Sequence, residues 1–320
     1  MNDVDVLIWG SGIAGSRLAE MLPRTGVSVA VIPSGPASYP VLPGICVADG
    51  FTRERSSLED LMLASAASLG ATILDGESVT SFSPSTGPVR SILTETQSIS
   101  VRCVVFADGS DPRIGRSRRM LPDWEPWQLV HFAWQQVTGE ASEFRAVAGS
   151  RGDWPWRGYF AATPEASWIG VGWNLQCEMD SHIHVTELLA DVQATAPQIG
   201  KLIGEPQVEV VPYEPRHLQG TFCSDNVLAL GDLTGIVNPL SLRRAEISLK
   251  MADSTCRLID HSLKRSKGAR FDPGEVKATF RPFVTPALQR DSGPAMPPIP
   301  RPAGRGGRIS TLIQRVIDRK

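Results

Sequence analysis

The 320-residue chain has little of what stabilises secreted or membrane proteins. Its five cysteines are scattered and form no C-x-x-C pair, so they predict reduced thiols and no metal site. No apolar run approaches the ~20 residues that span a bilayer. The first apolar segment begins within a few residues of Met1, which leaves no room for a secretory signal. We therefore expect a cytoplasmic protein without a transmembrane segment.

The chain also has no large excess of positive or negative charge. The formal net charge is −2, so the chain has no polycationic character, and we expect no nucleic-acid partner. Its composition is otherwise ordinary for a globular protein, with 42% hydrophobic and 21% charged residues. A chain of this length can bury a large core and hold two domains.

The most informative pattern is a glycine-rich loop near the start of the chain. Residues 4–9 predict a buried parallel strand, G-x-G-x-x-G follows at once, and residues 13–22 predict a helix. In this context the first glycine permits a tight turn, the second lets a pyrophosphate approach, and the third lets helix and strand pack closely. A glycine-rich turn without a ligand is the alternative. The candidate pyrophosphate-binding residues are Gly10, Gly12, Ile13, Ala14 and Gly15.

Two later apolar runs also predict strands that end in short polar motifs. The first run leads into Asp108-Gly109, and the second leads into Gly231-Asp232 with Asn238-Pro239 shortly after. Three such motifs in this order predict a dinucleotide-binding sheet, because each follows a strand as the fold requires.

These segments together resemble the FAD-dependent oxidoreductases of the aromatic-hydroxylase and geranylgeranyl-reductase group. The opening motif extends to Ala19, and Arg55 precedes a predicted helix that ends at Gly70-Ala71. The resemblance covers roughly residues 1–120 and 220–262. It implies an α/β fold with a Rossmann-like, glutathione-reductase-like FAD-binding domain and an inserted antiparallel β-sheet substrate domain.

The resemblance also implies roles for individual residues. The glycine loop would hold the pyrophosphate of FAD, and Asp232 would hold its ribityl chain. Arg55 would face the cofactor, and Asp108-Gly109 would form a turn beside it. The helix beginning near Pro239 would direct its N-terminus at the isoalloxazine ring, where its dipole stabilises negative charge. NAD(P)H or a reduced carrier would donate the electrons.

Two regions of the chain depart from the family pattern. Pro33 and Ser34 follow the second predicted strand, where an acid usually holds the adenosine ribose, so Ser34 becomes the candidate ribose contact. Leu242 and Arg244 stand where the family has glycines. Arg243 and Arg244 add positive charge at a helix start, which suits a substrate carboxylate or phosphate, the flavin itself, or plain solvation.

The departures leave two functional hypotheses open. The first is an FAD-dependent oxidoreductase, either a reductase or a monooxygenase, that acts on a small apolar or aromatic metabolite. The second is a protein of the same fold with weak or lost FAD binding. Such a protein would be a non-redox enzyme such as a cyclase, a ligand binder, or a partner subunit.

The middle of the chain is rich in tryptophan, with seven of the eight between Trp124 and Trp173. Short β-like runs predict an antiparallel sheet with its tryptophans on one face, and by resemblance such a sheet forms the substrate wall. Trp134, Trp156 and Trp173 are the candidate substrate contacts, and the alternative is that they belong to the core. The tripeptide Trp154-Pro155-Trp156 resembles the W-x-W of flavin-dependent halogenases in these residues alone.

The expected boundaries follow from these patterns. The FAD-binding domain comprises residues 1–80, 100–120 and 220–265, and the substrate domain comprises residues 81–99 and 121–219. Residues 284–307 are rich in proline, glycine and arginine and predict a flexible linker. Residues 308–320 predict an amphipathic helix that could dock on its own domain, a partner or a membrane surface.

Overall fold

The computed structural model describes residues 2–33, 45–48, 51–107, 128–139, 145–151, 154–162, 166–175, 181–213, 222–236, 244–265 and 269–290. These residues belong to two compact units. The first comprises residues within Met1–Gly35, Pro43–Pro122 and Pro215–Gln289, and the second comprises residues within Asp123–Glu214. No helix in the described ranges is long and apolar enough to cross a membrane.

The secondary-structure elements follow one another in a mixed α/β order. From the N-terminus they are β1 (Asn2–Trp9), α1 (Ile13–Met21), β2 (Val29–Ile32), β3 (Ile45–Ala48), β4 (Phe51–Glu54), α2 (Arg55–Ser68), β5 (Thr72–Ile73), β6 (Val79–Ser83), β7 (Ser91–Thr94) and β8 (Ser98–Phe106). The second unit contains β9 (Gln128–Val137), β10 (Arg145–Arg151), β11 (Trp154–Ala162), β12 (Ser167–Leu175), α3 (Ser181–Ala194) and β13 (Leu202–Tyr213). The chain then returns to the first unit with β14 (Cys223–Ser224), β15 (Val227–Ala229), α4 (Arg244–Arg265) and α5 (Pro273–Arg290).

The first unit is built on a largely parallel sheet with the strand order β14-β15-β8-β1-β2-β5. The strands β15, β8, β1, β2 and β5 run parallel, and the hairpin β6–β7 pairs antiparallel with the start of β8. Val6, Leu7 and Ile8 are all fully buried, which explains why β1 has a continuous apolar sequence instead of an alternating one. The predicted parallel dinucleotide-type sheet is therefore present in the described residues.

One face of this sheet is covered by helices. Val6 and Ile8 belong to the same core cluster as Leu18 of α1 and Ile259 of α4. Helix α1 packs against both α2 and α4. The Arg17 guanidinium bonds to the Asp253 carboxylate of α4 at 2.8 Å. This ion pair fixes α1 on the helical layer.

The second unit is a five-stranded antiparallel sheet with the order β10-β11-β12-β9-β13. Helix α3 packs on one face, where Val185, Leu188, Leu189 and Val192 are buried. A Cβ on Gly158 would lie 2.6 Å from Val192, so the missing side chain at this position lets α3 approach the sheet closely.

Two boundaries differ from the sequence prediction. Residues 81–99 were expected in the substrate domain, but β6 and β7 pair with β8 on the first unit's sheet. The flexible linker was expected to begin at residue 284, but α5 continues past Pro286 to Arg290. Helix α5 begins by burying Val276 and Phe280 in the core of the first unit, so the helix is held there by packing. The predicted helix 308–320 lies outside the described residues.

Candidate cofactor-binding site

The strands β1, β8 and β15, which lead into the three sequence motifs, lie side by side in the parallel sheet with their carboxyl ends at one edge. Trp9 at the end of β1 pairs with Ile32 on one side and with Phe106 on the other. The Leu230 N–H donates to the Phe106 carbonyl at 2.8 Å, and the Ala107 N–H donates to the Trp9 carbonyl at 2.7 Å. The chain segments that lead into the motifs at 10, 108 and 231 are thus linked by hydrogen bonds.

The first turn of α1 contacts the end of β8, the start of the third motif and the start of α4. Ile13 packs with Ala245 in the first turn of α4. A Cβ on Gly231 would lie 3.1 Å from the Ala14 Cβ. A Cβ on Gly15 would lie 3.0 Å from the Ala107 Cβ. The amino end of α1 therefore lies where the end of β8, Gly231 and the start of α4 come together.

The glycines around the amino end of α1 are explained by different physical constraints. Gly10 has φ 110° and Gly231 has φ 70°, a region that side chains other than glycine rarely adopt. Gly15 has no room, because a Cβ would lie 2.0 Å from the Gly10 carbonyl oxygen. Gly12 has φ −61° and ψ 175°, which any residue can adopt. The backbone dihedrals of Gly12 therefore give no reason for a glycine there, whereas close approach of a ligand would.

The amino end of α1 carries donors without acceptors. Gly12 provides no side-chain cap, and the first turn contains no acidic residue. The first helical hydrogen bond runs from the Ser16 N–H to the Gly12 carbonyl at 2.8 Å. The N–H groups of Ile13, Ala14 and Gly15 have no acceptor among the described residues. Unpaired buried donors cost roughly 1–3 kcal/mol each, so this turn is suited to an anion such as a diphosphate.

The start of α4 adds to the positive potential at this point. Ala245 is packed beside Ile13, so the amino ends of α1 and α4 lie next to each other. Each helix end carries roughly half a positive charge. Two such ends side by side favour a negatively charged ligand at these helix starts. Glu246 in the first turn of α4 offsets part of this charge and is itself paired with Lys250. The chemistry of these donors fits the diphosphate of a dinucleotide.

Several predicted site residues have only their backbone placed. Arg55 is the first residue of α2, Asp232 lies in the 3-10 turn Gly231–Thr234, and Arg244 is the first residue of α4. Pro33 directly follows β2, which places a proline where dinucleotide-binding folds usually have a ribose-binding acid. The predicted residues that lie outside the described ranges are Ser34, Asp108, Gly109, Asn238, Pro239, Leu242 and Arg243.

The tryptophans of the second unit do not share one face, contrary to the sequence expectation. Trp156 and Trp173 lie on the face that α3 covers. Trp134 lies on the opposite face, where its ring packs at 5.6 Å from the ring of Tyr159. Gly170 stands between them in the register, and a Cβ there would lie 2.3 Å from the Trp134 ring. The three candidate substrate contacts are therefore divided between two faces.

The structure adds aromatic residues that were not predicted as contacts. Tyr159 and Trp168 lie on the same face as Trp134 and are buried. The Trp168 indole N–H is buried and has no hydrogen-bond partner among the described residues. The signal available in the sequence was the two-residue period of β11 and β12, which places 159, 161, 168 and 170 on one face once the strands are paired.

His131 is a further buried polar residue on the α3 face. Its ring stacks on Trp173 with the centroids 5.3 Å apart. Burial lowers the pKa of His131 to about 4, so the imidazole is neutral at neutral pH. Its Nε2 atom has no partner among the described residues.

Comparisons with known proteins identify the type of fold. No protein-family model matches the chain, and no curated protein sequence matches it. Three similar solved structures illustrate the relationship. A geranylgeranyl bacteriochlorophyll reductase-like protein from Thermoplasma acidophilum has 12% identity over 91% of this chain and 84% of its own, with a TM-score of 0.62. A flavoprotein/dehydrogenase from Cytophaga hutchinsonii has 14% identity over 90% and 87%, with a TM-score of 0.65.

The third structure is a myxobacterial chondrochloren halogenase, described as an FAD-dependent halogenase. It has 13% identity over 88% of this chain and 78% of its own, with a TM-score of 0.62. The chain thus has the fold of FAD-dependent flavoproteins of the reductase, monooxygenase and halogenase type. Identity this low establishes the fold and leaves the chemistry to the residues of the site.

Proposed function

We propose that this protein is an FAD-dependent oxidoreductase, a reductase or a monooxygenase, that acts on a small apolar or aromatic metabolite. The observation that supports this most is the surroundings of the first turn of α1, which contacts Ala107, Gly231 and Ala245. In this turn the N–H groups of Ile13, Ala14 and Gly15 have no acceptor among the described residues. We assign the first unit to the glutathione-reductase-like subtype. FAD, when bound, supplies hydride transfer or oxygen chemistry.

Different residues of the chain would bind different parts of FAD. The amides of Ile13, Ala14 and Gly15 bind the diphosphate, with Gly10 and Gly12 leaving space for it. Asp232 accepts hydrogen bonds from the ribityl chain. The remaining proposed contacts are Ser34, Arg55, Asp108, Gly109, Asn238 and Pro239. The electron donor is NAD(P)H or a reduced carrier.

The second unit would provide the substrate wall. Trp134 and Tyr159 form a buried aromatic pair on the face opposite α3, which would form part of an apolar pocket for a flat or greasy molecule. Trp156 and Trp173 belong to the core between the sheet and α3, so they would stabilise the sheet and would not contact the substrate. Arg243 and Arg244 remain candidates for a carboxylate or phosphate of the substrate.

A second candidate function is a non-redox role with weak FAD binding, either as an enzyme such as a cyclase, a ligand binder or a partner subunit. It is favoured by Pro33, which follows β2 where a ribose-binding acid is usual. The loss of one charge-assisted hydrogen bond is worth roughly 1.5–3 kcal/mol. This would reduce affinity by about one to two decades.

The experiment is to purify the protein, soak it in excess FAD, and measure flavin absorbance and the fluorescence released on denaturation. We expect stoichiometric flavin in the wild type and none in Gly12→Val, whose side chain would fill the space for the diphosphate. Gly274→Val is the matched control, because Gly274 lies in the first turn of α5, away from the site. Wild-type protein that takes up no flavin would exclude the oxidoreductase and leave the second candidate.

The arginine pair has its own test. Arg243→Ala and Arg244→Ala should weaken the binding of an anionic substrate or of the flavin, as measured by titration. Unchanged affinity for both ligands in both variants would show that neither arginine belongs to an anion site.

A further inference from the structure

Trp9 occupies an unusual place at the end of the central strand. It is the last residue of β1 and directly precedes Gly10. Its strand neighbours Leu7 and Ile8 and its cross-strand partner Phe106 are fully buried, whereas Trp9 is partly exposed. A large aromatic side chain therefore reaches the surface at the carboxyl edge, beside the glycine loop.

The ring of Trp9 is held from the face opposite α1. Ile8 belongs to the helix-side core, so the next residue along the strand points to the other face. There the Trp9 ring packs against Phe82 of β6 and against Phe106, with both centroid distances 5.8 Å. Phe82 and Phe106 also pack edge-on against each other at 5.7 Å. The indole is thus oriented before any ligand binds.

Trp9 also stands where the adenosine half of a dinucleotide would pass. In this class of fold the diphosphate lies at the glycine loop, and the adenosine ribose lies at the end of the second strand. Trp9 pairs with Ile32, the last residue of β2, and Pro33 follows with no carboxylate to offer. The chain therefore has an aromatic surface next to the position where it lacks the usual polar contact.

We infer that Trp9 is a stacking surface for the adenine base of the bound dinucleotide and replaces affinity that the missing acid would supply. This inference rests on the proposed FAD binding. Stacking of a base on an aromatic side chain contributes roughly 1–3 kcal/mol and needs no charged partner. The anchoring by Phe82 and Phe106 means that little side-chain entropy is lost on binding.

The test is calorimetric titration of wild type, Trp9→Leu and Trp9→Phe with ADP, FAD and FMN. Trp9→Leu should weaken ADP and FAD about tenfold and leave FMN unchanged, because FMN lacks the adenosine. Trp9→Phe should keep most of the affinity, since a ring remains. Thermal unfolding of each variant shows whether it is folded before the titration.

Tryptophan fluorescence gives a second measurement that does not depend on Trp9→Leu folding. ADP should quench part of the wild-type emission, and Trp9→Phe should lose that quenching. Trp168→Phe is the matched control, because Trp168 is a buried tryptophan of the second unit, and this variant should keep the quenching.

The outcomes separate this inference from the proposed function. If wild type binds neither FAD nor ADP, both are overturned. If wild type binds FAD, and Trp9→Leu binds ADP equally well while ADP quenching persists in Trp9→Phe, only the role of Trp9 is overturned.

Discussion

Gly15 and Gly10 are in such close contact that a Cβ on Gly15 would lie 2.0 Å from the Gly10 carbonyl oxygen. The contact arises because Gly10, with φ 110°, turns the chain back over the first turn of α1. Both groups belong to the backbone, so neither can move aside as a flexible side chain would. This contact sets the distance between the glycine loop and the donors of the helix.

Gly15→Ala is therefore expected to destabilise the protein and to disturb the loop. Inserting a methyl group into tight packing costs typically about 1–3 kcal/mol, and the backbone contact places this position at the upper end. Urea unfolding of the protein without added cofactor measures the effect. Gly274→Ala is the control, because its nearest atom is the carboxylate oxygen of Asp272 at 3.0 Å, the end of a side chain. Equal stability of the two variants would contradict the close packing of Gly15.

The alignment of the strand ends that lead into the three motifs could be predicted from sequence because each motif is local. An apolar strand followed by glycine or by Asp-Gly is visible within ten residues, and parallel strands place their carboxyl ends on one edge. The antiparallel sheet of the second unit was also visible, because its strands appear in the sequence as short β-like runs. Local pattern and global fold agree at these places.

The faces of the tryptophans could not be predicted, because they depend on strand pairing. In the observed register Trp173 lies opposite His131, and this pairing places Trp173 and Trp134 on opposite faces of the sheet. A shift of one residue would exchange the faces, and nothing local fixes the register. The hairpin β6–β7 was misplaced for a similar reason, since its pairing with β8 is a long-range property.

The hydrogen bonds of the Asn226 side chain could not be predicted from the sequence, and they lead to a prediction about stability. Its carboxamide accepts from the Val89 N–H at 2.8 Å and donates to the carbonyls of Val89 at 2.7 Å and Arg102 at 2.9 Å. The residue is buried and links the turn before β15 to β8 and to the chain before β7. Asn226→Ala leaves these backbone groups without partners.

We expect Asn226→Ala to lower the free energy of unfolding by about 2–4 kcal/mol, since each orphaned buried group costs roughly 1–3 kcal/mol. Chemical denaturation checks this value. Ser28→Ala is the control, because Ser28 makes its hydrogen bonds with Asp5 at an exposed position, and its loss should cost under about 1 kcal/mol. A cost for Asn226→Ala as small as that for Ser28→Ala would mean that the carboxamide does not connect the strands.

His131 gives a prediction for the pH dependence of stability. Its side chain is only 8% exposed, and burial lowers its pKa from 6.5 to about 4. Between these two values the unfolded chain binds a proton that the folded chain does not, so stability falls as the pH falls from 6.5 to 4. Above pH 6.5 both states are neutral at this residue, and its contribution is constant.

His131→Phe should remove this component, because phenylalanine keeps the stacking on Trp173 and cannot titrate. Between pH 7 and pH 4 the wild type should lose up to about 3 kcal/mol more than the variant. Urea unfolding at a series of pH values measures the difference, and carboxylates that titrate in both proteins cancel. Parallel pH profiles for wild type and His131→Phe would mean that the imidazole takes up its proton as readily in the folded protein as in the unfolded chain.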